Sequence, residues 1–171
     1  MLEMKPLQPQ DYDRVTEIYN YYILHTTVTN DTEAKTPQQM RKQIPLGEEG
    51  YHPYAMWYDG QLAGYVYLAP YSPRKAFFRT ATVSIYLDKR FEGRKIGTSA
   101  LRFVEQEAQK AGLHSLIAHI NGKNRQSMAI FEKTGFRRVG DMVEAGFKFG
   151  EFQDTAIYQY IVPDGEGAYQ K

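Results

Sequence analysis

The stretch RFEGRKIGTSAL, residues 90–101, follows an apolar alternating run and precedes a helical pattern. A helix that starts directly after a strand presents backbone N–H groups with no intrahelical partner, at the positive end of its dipole. Gly93 and Gly97 lack side chains, so a ligand can approach that backbone closely. Arg90, Arg94 and Lys95 add positive charge. Together these residues suit a bridging diphosphate. The G-x-x-x-x-G-K-[ST] spacing of a P-loop is absent, as is the G-x-G-x-x-G dinucleotide pattern. Taken alone, the loop is slightly better explained as a solvated turn whose cations face water. Other chemistry finds less support. His25, His52, His114 and His119 show no H-x-x-x-H spacing, so no metal site is expected. Ser99 and Ser127 lack a nucleophile elbow. His119 reads as a core histidine. Lys123 and Arg125 read as solvated loop charges, or as cations that meet the phosphates of a ligand.

The elements that must carry these residues follow from periodicity. A short strand is expected at residues 4–7. Pro9 then introduces a helix in which Val15, Ile18, Tyr19 and Tyr22 recur at helical spacing. Tyr19, Tyr21 and Tyr22 read as helix packing, or as one hydroxyl lining a pocket. HTTVTNDTEAK is loop. Thr36, Pro37 and Gln39 have the order of a capping box with proline at the first helical position. Asp59-Gly60 marks a hairpin turn between two strand runs. ATVSIYL puts Val83, Ile85 and Leu87 on one face and Thr82, Ser84 and Tyr86 on the other. A helix then runs from Gly97 with Gly112 as its stop. SLIAHI is a buried strand, and the next helix is capped near Asn124 and ended by Gly135. FRRVGDMV and DTAIYQYIV close the chain as strands, and PDGEGAYQK reads as a frayed end. The order β, α, α, three strands, α, β, α, β, β predicts a layered α/β domain around a mixed sheet, spanning residues 1–171 as one unit.

Composition narrows the partners. With 171 residues and a net charge of +1, the chain has no general attraction for polyanions, and no basic stripe points to nucleic acid. There is no cysteine, which removes disulfides, thiolate metal ligation and an acyl-cysteine intermediate. No apolar run approaches the roughly 20 residues of a membrane helix, and MLEMKPLQPQ lacks a signal-peptide pattern, so a cytoplasmic protein without membrane contact is expected.

Asn124, Ser127, Phe131, Glu132, Lys133, Gly135 and Phe136 look like the N-x-x-S-x-x-x-[YF]-E-K-x-G-F signature of the GNAT superfamily of acetyl-CoA-dependent N-acetyltransferases. IYNYYI, TTVTNDTEAKTP, VSIYLDKRFEGRKIGTSAL and AGFKFGEFQDTAIYQ resemble, in order, segments of its phosphinothricin acetyltransferase branch. The resemblance implies a mostly antiparallel mixed sheet of about seven strands, splayed between the fourth and fifth and flanked by about four helices. It implies acetyl-CoA as co-substrate, a small-molecule amine as acceptor, no metal, and a homodimer with the NDTEAK loop near the partner.

Carried over residue by residue, the resemblance assigns pantetheine pairing to the backbone of Ile85 and Leu87. The diphosphate falls to the amides of Gly93, Arg94, Lys95, Ile96, Gly97 and Thr98. Asn124 and Ser127 lie on the facing helix, with Asn124 reaching the pantetheine. Tyr86 matches a tyrosine at the thioester slot. Arg74 matches an arginine near the substrate mouth, where it could clamp an acidic group, or it is a solvated loop residue. Phe77 and Phe78 wall the slot or anchor their loop.

Two departures stand out. The family loop [QR]-x-x-G-x-[GA] is here Glu92-Gly93-Arg94-Lys95-Ile96-Gly97, with lysine in place of the first glycine. The branch's general-base glutamate is replaced by Thr82, and the tyrosine or histidine that protonates the thiolate by Phe131. Thr82 could at best hold a water; Glu144, Glu33 and Asp154 are substitute carboxylates without an assigned place. An alkyl amine of pKa near 10.4 is about one part in 10³ neutral at pH 7, a penalty of roughly 4–5 kcal/mol, against about 1–1.5 kcal/mol for an α-amino group near pKa 8. The expected activity is direct acetyl transfer to an amino acid or analogue of the phosphinothricin or methionine sulfoximine type. The alternatives are a peptide N-terminus or polyamine acetyltransferase, and an acetyl-CoA-binding protein without turnover.

Overall fold

A computed structural model describes residues 1–47 and 51–163, so the stretch read as a frayed end lies, past Pro163, outside the described residues. Seven strands and four α-helices follow in the order β1 (Leu2–Pro6), α1 (Tyr12–His25), α2 (Pro37–Gln43), β2 (Tyr54–Tyr58), β3 (Gln61–Pro70), β4 (Thr80–Leu87), α3 (Ile96–Lys110), β5 (Ser115–Asn121), α4 (Arg125–Lys133), β6 (Arg137–Lys148) and β7 (Glu151–Ile161). The sheet order is β1-β2-β3-β4-β5-β7-β6. Every neighbouring pair is antiparallel except β4 and β5, which run parallel.

Local chemistry explains the boundaries. The Thr36 hydroxyl accepts from the Gln39 amide at 3.2 Å, and the Gln39 side chain accepts from the Thr36 amide at 2.8 Å, closing the capping box before Pro37. Asp59 and Gly60 both take positive φ, 47° and 78°, the conformation a two-residue primed turn requires. Two expectations are corrected. The first strand begins at Leu2 rather than Met4. The last two strands reach much further than FRRVGDMV and DTAIYQYIV, because Phe149 and Gly150 turn the chain with φ of 53° and 76° and zip residues 146–153 into one long hairpin. A phenylalanine in the left-handed region is not a turn signal that sequence offers.

The alternation of β4 divides two cores. Val83 packs with Phe91, Leu101, Val104, Leu116 and Phe131 on the face covered by α3 and α4, with Ile85 and Leu87 against that cluster. Tyr86 instead packs against Val15, Ile18, Tyr19, Met40 and Tyr65 on the face covered by α1 and α2.

Candidate functional site

β4 and β5 pair only at Thr80↔Ser115, Ala81↔Leu116 and Thr82↔Ile117. Beyond Thr82 the two strands part, each still held by its other neighbour: β4 to β3 as far as Leu87, and β5 to β7 as far as Asn121. Backbone direction in this stretch can be read from its bonds. The Thr80 carbonyl accepts from Tyr71 and the Asp88 amide donates to Ala63, so even-numbered residues face β3. By alternation, the peptide groups of Ile85 and Leu87 face the gap, as an added strand-like ligand would require.

The gap is a slot of about 380 Å³, measured to its open mouth, walled by residues 83–86 on one side and 118–121 on the other, with Val28, Asn124, Ser127 and Phe131 across it. It continues into a cleft of about 900 Å³ that runs past Ile85 and Leu87 to Gly97 at the start of α3, with Tyr21 and Tyr22 on the opposite wall. Gly97 keeps this passage open. A Cβ there would stand 3.4 Å from Ile130 Cδ1 and 4.0 Å from Ile85 Cδ1, inside the space between α3 and α4.

The helix start is shaped by the loop before it. Asp88 caps a 3-10 turn by accepting from the Arg90 amide at 2.9 Å. Gly93 takes φ 76° and Lys95 takes φ 62°. Lysine thus holds the left-handed conformation natural to glycine, at roughly 1–2 kcal/mol. Its side chain is exposed, and the amides of Ile96, Gly97 and Thr98 begin the helix. The other two cations are engaged. Arg90 pairs with Asp88 at 2.8 Å, and the Arg94 guanidinium lies 5.2 Å from the Tyr58 ring centroid and 5.7 Å from that of Phe91. On the facing side, Asn124 caps α4 by accepting from the Ser127 amide at 3.1 Å, and both residues line slot and cleft.

The structure therefore brings together Ile85, Leu87, Gly97, Asn124, Ser127 and Tyr86. It leaves Thr82 outside: its hydroxyl lies 3.4 Å from the Ala69 carbonyl, in the zipped part of the sheet, and it lines neither cavity. Arg74 and Phe77 flank the short turn between β3 and β4, with Phe77 packed on Tyr71 at 5.2 Å, and they also line neither cavity. Of the substitute carboxylates, Asp154 accepts from the Glu144 amide at 2.7 Å in the outer hairpin, and Glu33 is exposed. Lys123 is drawn away to Glu151 at 2.6 Å.

Several contacts around the site were not legible in the sequence. The Tyr22 hydroxyl donates to the Leu87 carbonyl across 65 positions, filling one of the groups on the open edge. Burial, then the nearby Glu92 carboxylate, push the Tyr22 phenol up to about 12, so it stays a donor. Tyr86 is set edge-on to Tyr19 at 4.9 Å and stacks on Tyr65 at 5.4 Å; burial raises its phenol well above the usual value, so it enters the slot protonated. Asp31 and Lys148 meet under this cluster through Thr29. Only the aromatic repeat in IYNYYI hinted that α1 faces a pocket. Among the described residues no group of three or more histidines and carboxylates is placed to hold a metal.

The comparisons with known proteins agree with this geometry. The chain is 28% identical over 162 residues to the phosphinothricin N-acetyltransferase of Streptomyces coelicolor, covering 92% of this chain and 95% of that protein. It is 27% identical over 150 residues to the L-methionine sulfoximine/L-methionine sulfone acetyltransferase of Salmonella typhimurium, covering 87% and 88%. The crystal structure of a GNAT superfamily phosphinothricin acetyltransferase from Sinorhizobium meliloti in complex with AcCoA superposes with a TM-score of 0.91 at 27% identity, over 99% of this chain and 92% of that one. The family model described as acetyltransferase (GNAT) family matches residues 13–136, and with a split β4–β5 edge leading to an open helix start, this chain belongs to the GNAT acetyltransferase family.

Proposed function

We propose that this acetyltransferase moves the acetyl group of acetyl-CoA directly to the amine of an amino acid or amino-acid analogue of the phosphinothricin or methionine sulfoximine type. The single observation that carries the reading is the parting of β4 from β5 after Thr82, which leaves an unpaired strand edge inside a slot that leads to the start of α3. The backbone at Ile85 and Leu87 is the edge available to a pantetheine amide. The Leu87 carbonyl already accepts from Tyr22, so Ile85 is the stronger pairing residue. The amides of Ile96, Gly97 and Thr98 supply uncommitted donors and the dipole for a diphosphate. Gly93 and Lys95 shape the loop, while the stacking of Arg94 on Tyr58 leaves it a supporting part. Asn124 and Ser127 wall the pantetheine from α4.

The amine nitrogen attacks the thioester carbonyl carbon, the C–S bond breaks, the nitrogen loses a proton, and CoA leaves as a thiolate. That thiolate, with a pKa near 8.5, leaves without a strong acid, so Phe131 in place of a titratable residue is tolerated. Tyr86, protonated at the slot, faces the reacting atoms. The acidic group of the acceptor is assigned to Arg74, exposed near the zipped end. The relatives' names support the acceptor class.

The reading also includes residues 1–171 acting as a single cytoplasmic domain and as a homodimer. No helix of the described residues is long and apolar enough to cross a membrane. Val143, Phe147, Phe149 and Phe152 on the β6–β7 hairpin are 60–73% exposed, an apolar surface that a second copy would cover.

Thiol release tests the reading. Acetyl-CoA mixed with a panel of phosphinothricin, methionine sulfoximine, methionine, a peptide N-terminus and a polyamine should liberate CoA fastest with the first two. Release only with the peptide or polyamine would replace the acceptor class. No release despite acetyl-CoA binding would make the chain a non-catalytic binder.

A further inference from the structure

The loss of a carboxylate at Thr82 leaves the acceptor's proton without an obvious destination, and the far wall of the slot supplies one. The sequence reading placed His119 in the core; the structure corrects it. Leu116, Ala118 and Ile120 of β5 are buried in the core beneath α3 and α4. Side chains alternate along a strand, so His119 projects from the opposite face of the sheet, and there it is exposed rather than packed. Tyr86 of β4 lies on that same face. The last rung between β4 and β5 is Thr82↔Ile117. Two residues further on, Ser84 and His119 take matching places on the two edges of the gap, and both line the slot. Among the described residues no hydrogen bond or ion pair engages the imidazole.

His119 stands beyond the cofactor's route. The cleft that leads to Gly97 shares Ile85, Asn124 and Ser127 with the slot, whereas Ser84, Tyr86, His119 and Asn121 line the slot alone. A carrier that runs from the start of α3 along Ile85 fills the cleft, so the acceptor amine has to meet the thioester at the end where His119 lies. Among the described residues no carboxylate lines the slot. Its polar lining consists of the amides of Asn121 and Asn124, the hydroxyls of Ser84, Ser127 and Tyr86, and the imidazole of His119. Asn121 is committed at both ends, donating to Gln153 Oε1 at 3.2 Å and accepting from the Lys123 amide at 2.9 Å. Burial keeps the Tyr86 phenol protonated, so it has no place for a second proton. A neutral imidazole, in contrast, carries a nitrogen lone pair that takes up a proton, and histidine is the side chain most often used as a general base.

We propose that His119 is the general base of the acetyl transfer, working from β5 in the role left vacant at Thr82 on β4. The lone pair of the amine nitrogen forms the C–N bond to the thioester carbon. The C–S bond breaks with its electron pair on sulfur, and a proton of the amine passes to the unprotonated ring nitrogen of His119. One N–H bond is broken on the acceptor and one is made on the imidazole. The exposed ring then gives that proton to water, which returns it to its starting state.

This inference rests on the transferase reading above, and the test separates the two. Wild type, His119→Ala and His119→Gln are assayed for CoA release with the acceptor that the thiol-release panel ranks first, and for acetyl-CoA binding by calorimetry. Both variants are expected to bind acetyl-CoA as wild type does, because His119 is exposed and lies outside the cleft. Each is expected to lose about 10²-fold in kcat, the lower end of what general-base help contributes. Glutamine keeps a hydrogen-bonding side chain without a basic nitrogen, so its loss reports proton transfer rather than polar contact. Free imidazole should restore the rate of His119→Ala in proportion to its concentration. Pyrazole, a ring of the same shape and a far weaker base, should not. Wild-type kcat in either variant would overturn the proposal. So would a loss that imidazole does not restore, a loss that pyrazole restores equally, or a fall in acetyl-CoA affinity that accounts for the lost rate; each of these makes His119 a residue that shapes the slot. Wild type that binds acetyl-CoA and releases no CoA with any amine refutes the transferase reading and with it this role, whereas turnover that survives removal of the imidazole refutes this role alone.

Discussion

Gly64 decides whether the slot strand can lie where it does, although it sits on β3, on the side of β4 away from the cofactor cleft. It pairs with Leu87 across the β3–β4 ladder. A Cβ on it would come within 2.4 Å of the Tyr86 carbonyl oxygen, 2.5 Å of Met56 Cε and 3.0 Å of Leu87 Cα. The Met56 methyl can swing aside, but the peptide oxygen cannot. Contacts below 3.0 Å are essentially never seen, so Gly64→Ala must move the Tyr86–Leu87 peptide by at least 3.0 − 2.4 = 0.6 Å, toward the gap. Overpacking of this kind costs about 1–3 kcal/mol. At about 2–4 °C per kcal/mol for a domain of this size, the melting temperature should fall by roughly 2–12 °C. The functional loss should be larger in proportion. A misplacement near 1 Å can cost about 10²-fold in rate, so a shift of this size should lower kcat by about tenfold or more in protein that is still folded. Thermal melts and thiol release at 20 °C, well below the melt, measure the two effects on the same preparation. A Gly64→Ala protein with unchanged melting temperature and unchanged kcat would refute the claim that β4 is seated against a bare β3 backbone.

Four further outcomes follow. Lys95→Gly should raise the melting temperature by relieving a left-handed φ of 62°, by about 1 kcal/mol or 2–4 °C, and leave acetyl-CoA affinity within a few fold. Gly97→Val should fill the space before Ile130 and Ile85 and weaken acetyl-CoA binding at least tenfold by calorimetry, with a melt close to wild type. Arg74→Ala should raise the acceptor KM and leave the acetyl-CoA KM alone in steady-state kinetics. Glu105 has a buried Oε1 with no hydrogen-bond partner, and burial pushes its carboxyl up to about 7, above an ordinary value near 4.5. The folded state therefore binds this proton more tightly than the unfolded chain, so its contribution to stability declines as pH rises from about 4.5 to about 7. Glu105→Gln should flatten the fall in melting temperature over that window, and a slope equal to wild type would show that the group is ordinarily solvated.

Much of the architecture was legible because it is written in local chemistry. The capping box at Thr36 and Gln39, the Asp59-Gly60 turn, the stop at Gly112 and the Asn124 cap all formed as their side chains dictate. The strand alternation from Val83 to Leu87 sorted side chains between two faces correctly, which put Tyr86 with the α1 tyrosines. The hairpin extension was missed because its turn places Phe149, a residue that disfavours positive φ, in the left-handed region. The polar cluster of Tyr19, Thr29, Asp31 and Lys148 was invisible for a different reason. Lys148 reaches Thr29 across 119 positions, and Asp31 gains its partner only from a tyrosine 12 residues earlier that turns its hydroxyl onto it. A lone aspartate in a polar loop carries no such signal. Thr82 was assigned to the slot by its resemblance to a family position, yet the ladder with β5 closes over it, and only pairing data could show where β4 lets go.

Acetyl-CoA is expected to pair with the free edge of β4 and to sit on the bare amides at the start of α3. Backbone amide hydrogen exchange with and without acetyl-CoA tests it directly. The prediction is strong new protection at Ile85 and at Ile96, Gly97 and Thr98, with Thr80 and Ala81 unchanged because they lie in the zipped part of the sheet. Saturating acetyl-CoA that leaves the exchange of Ile85 and of residues 96–98 unaltered would contradict it.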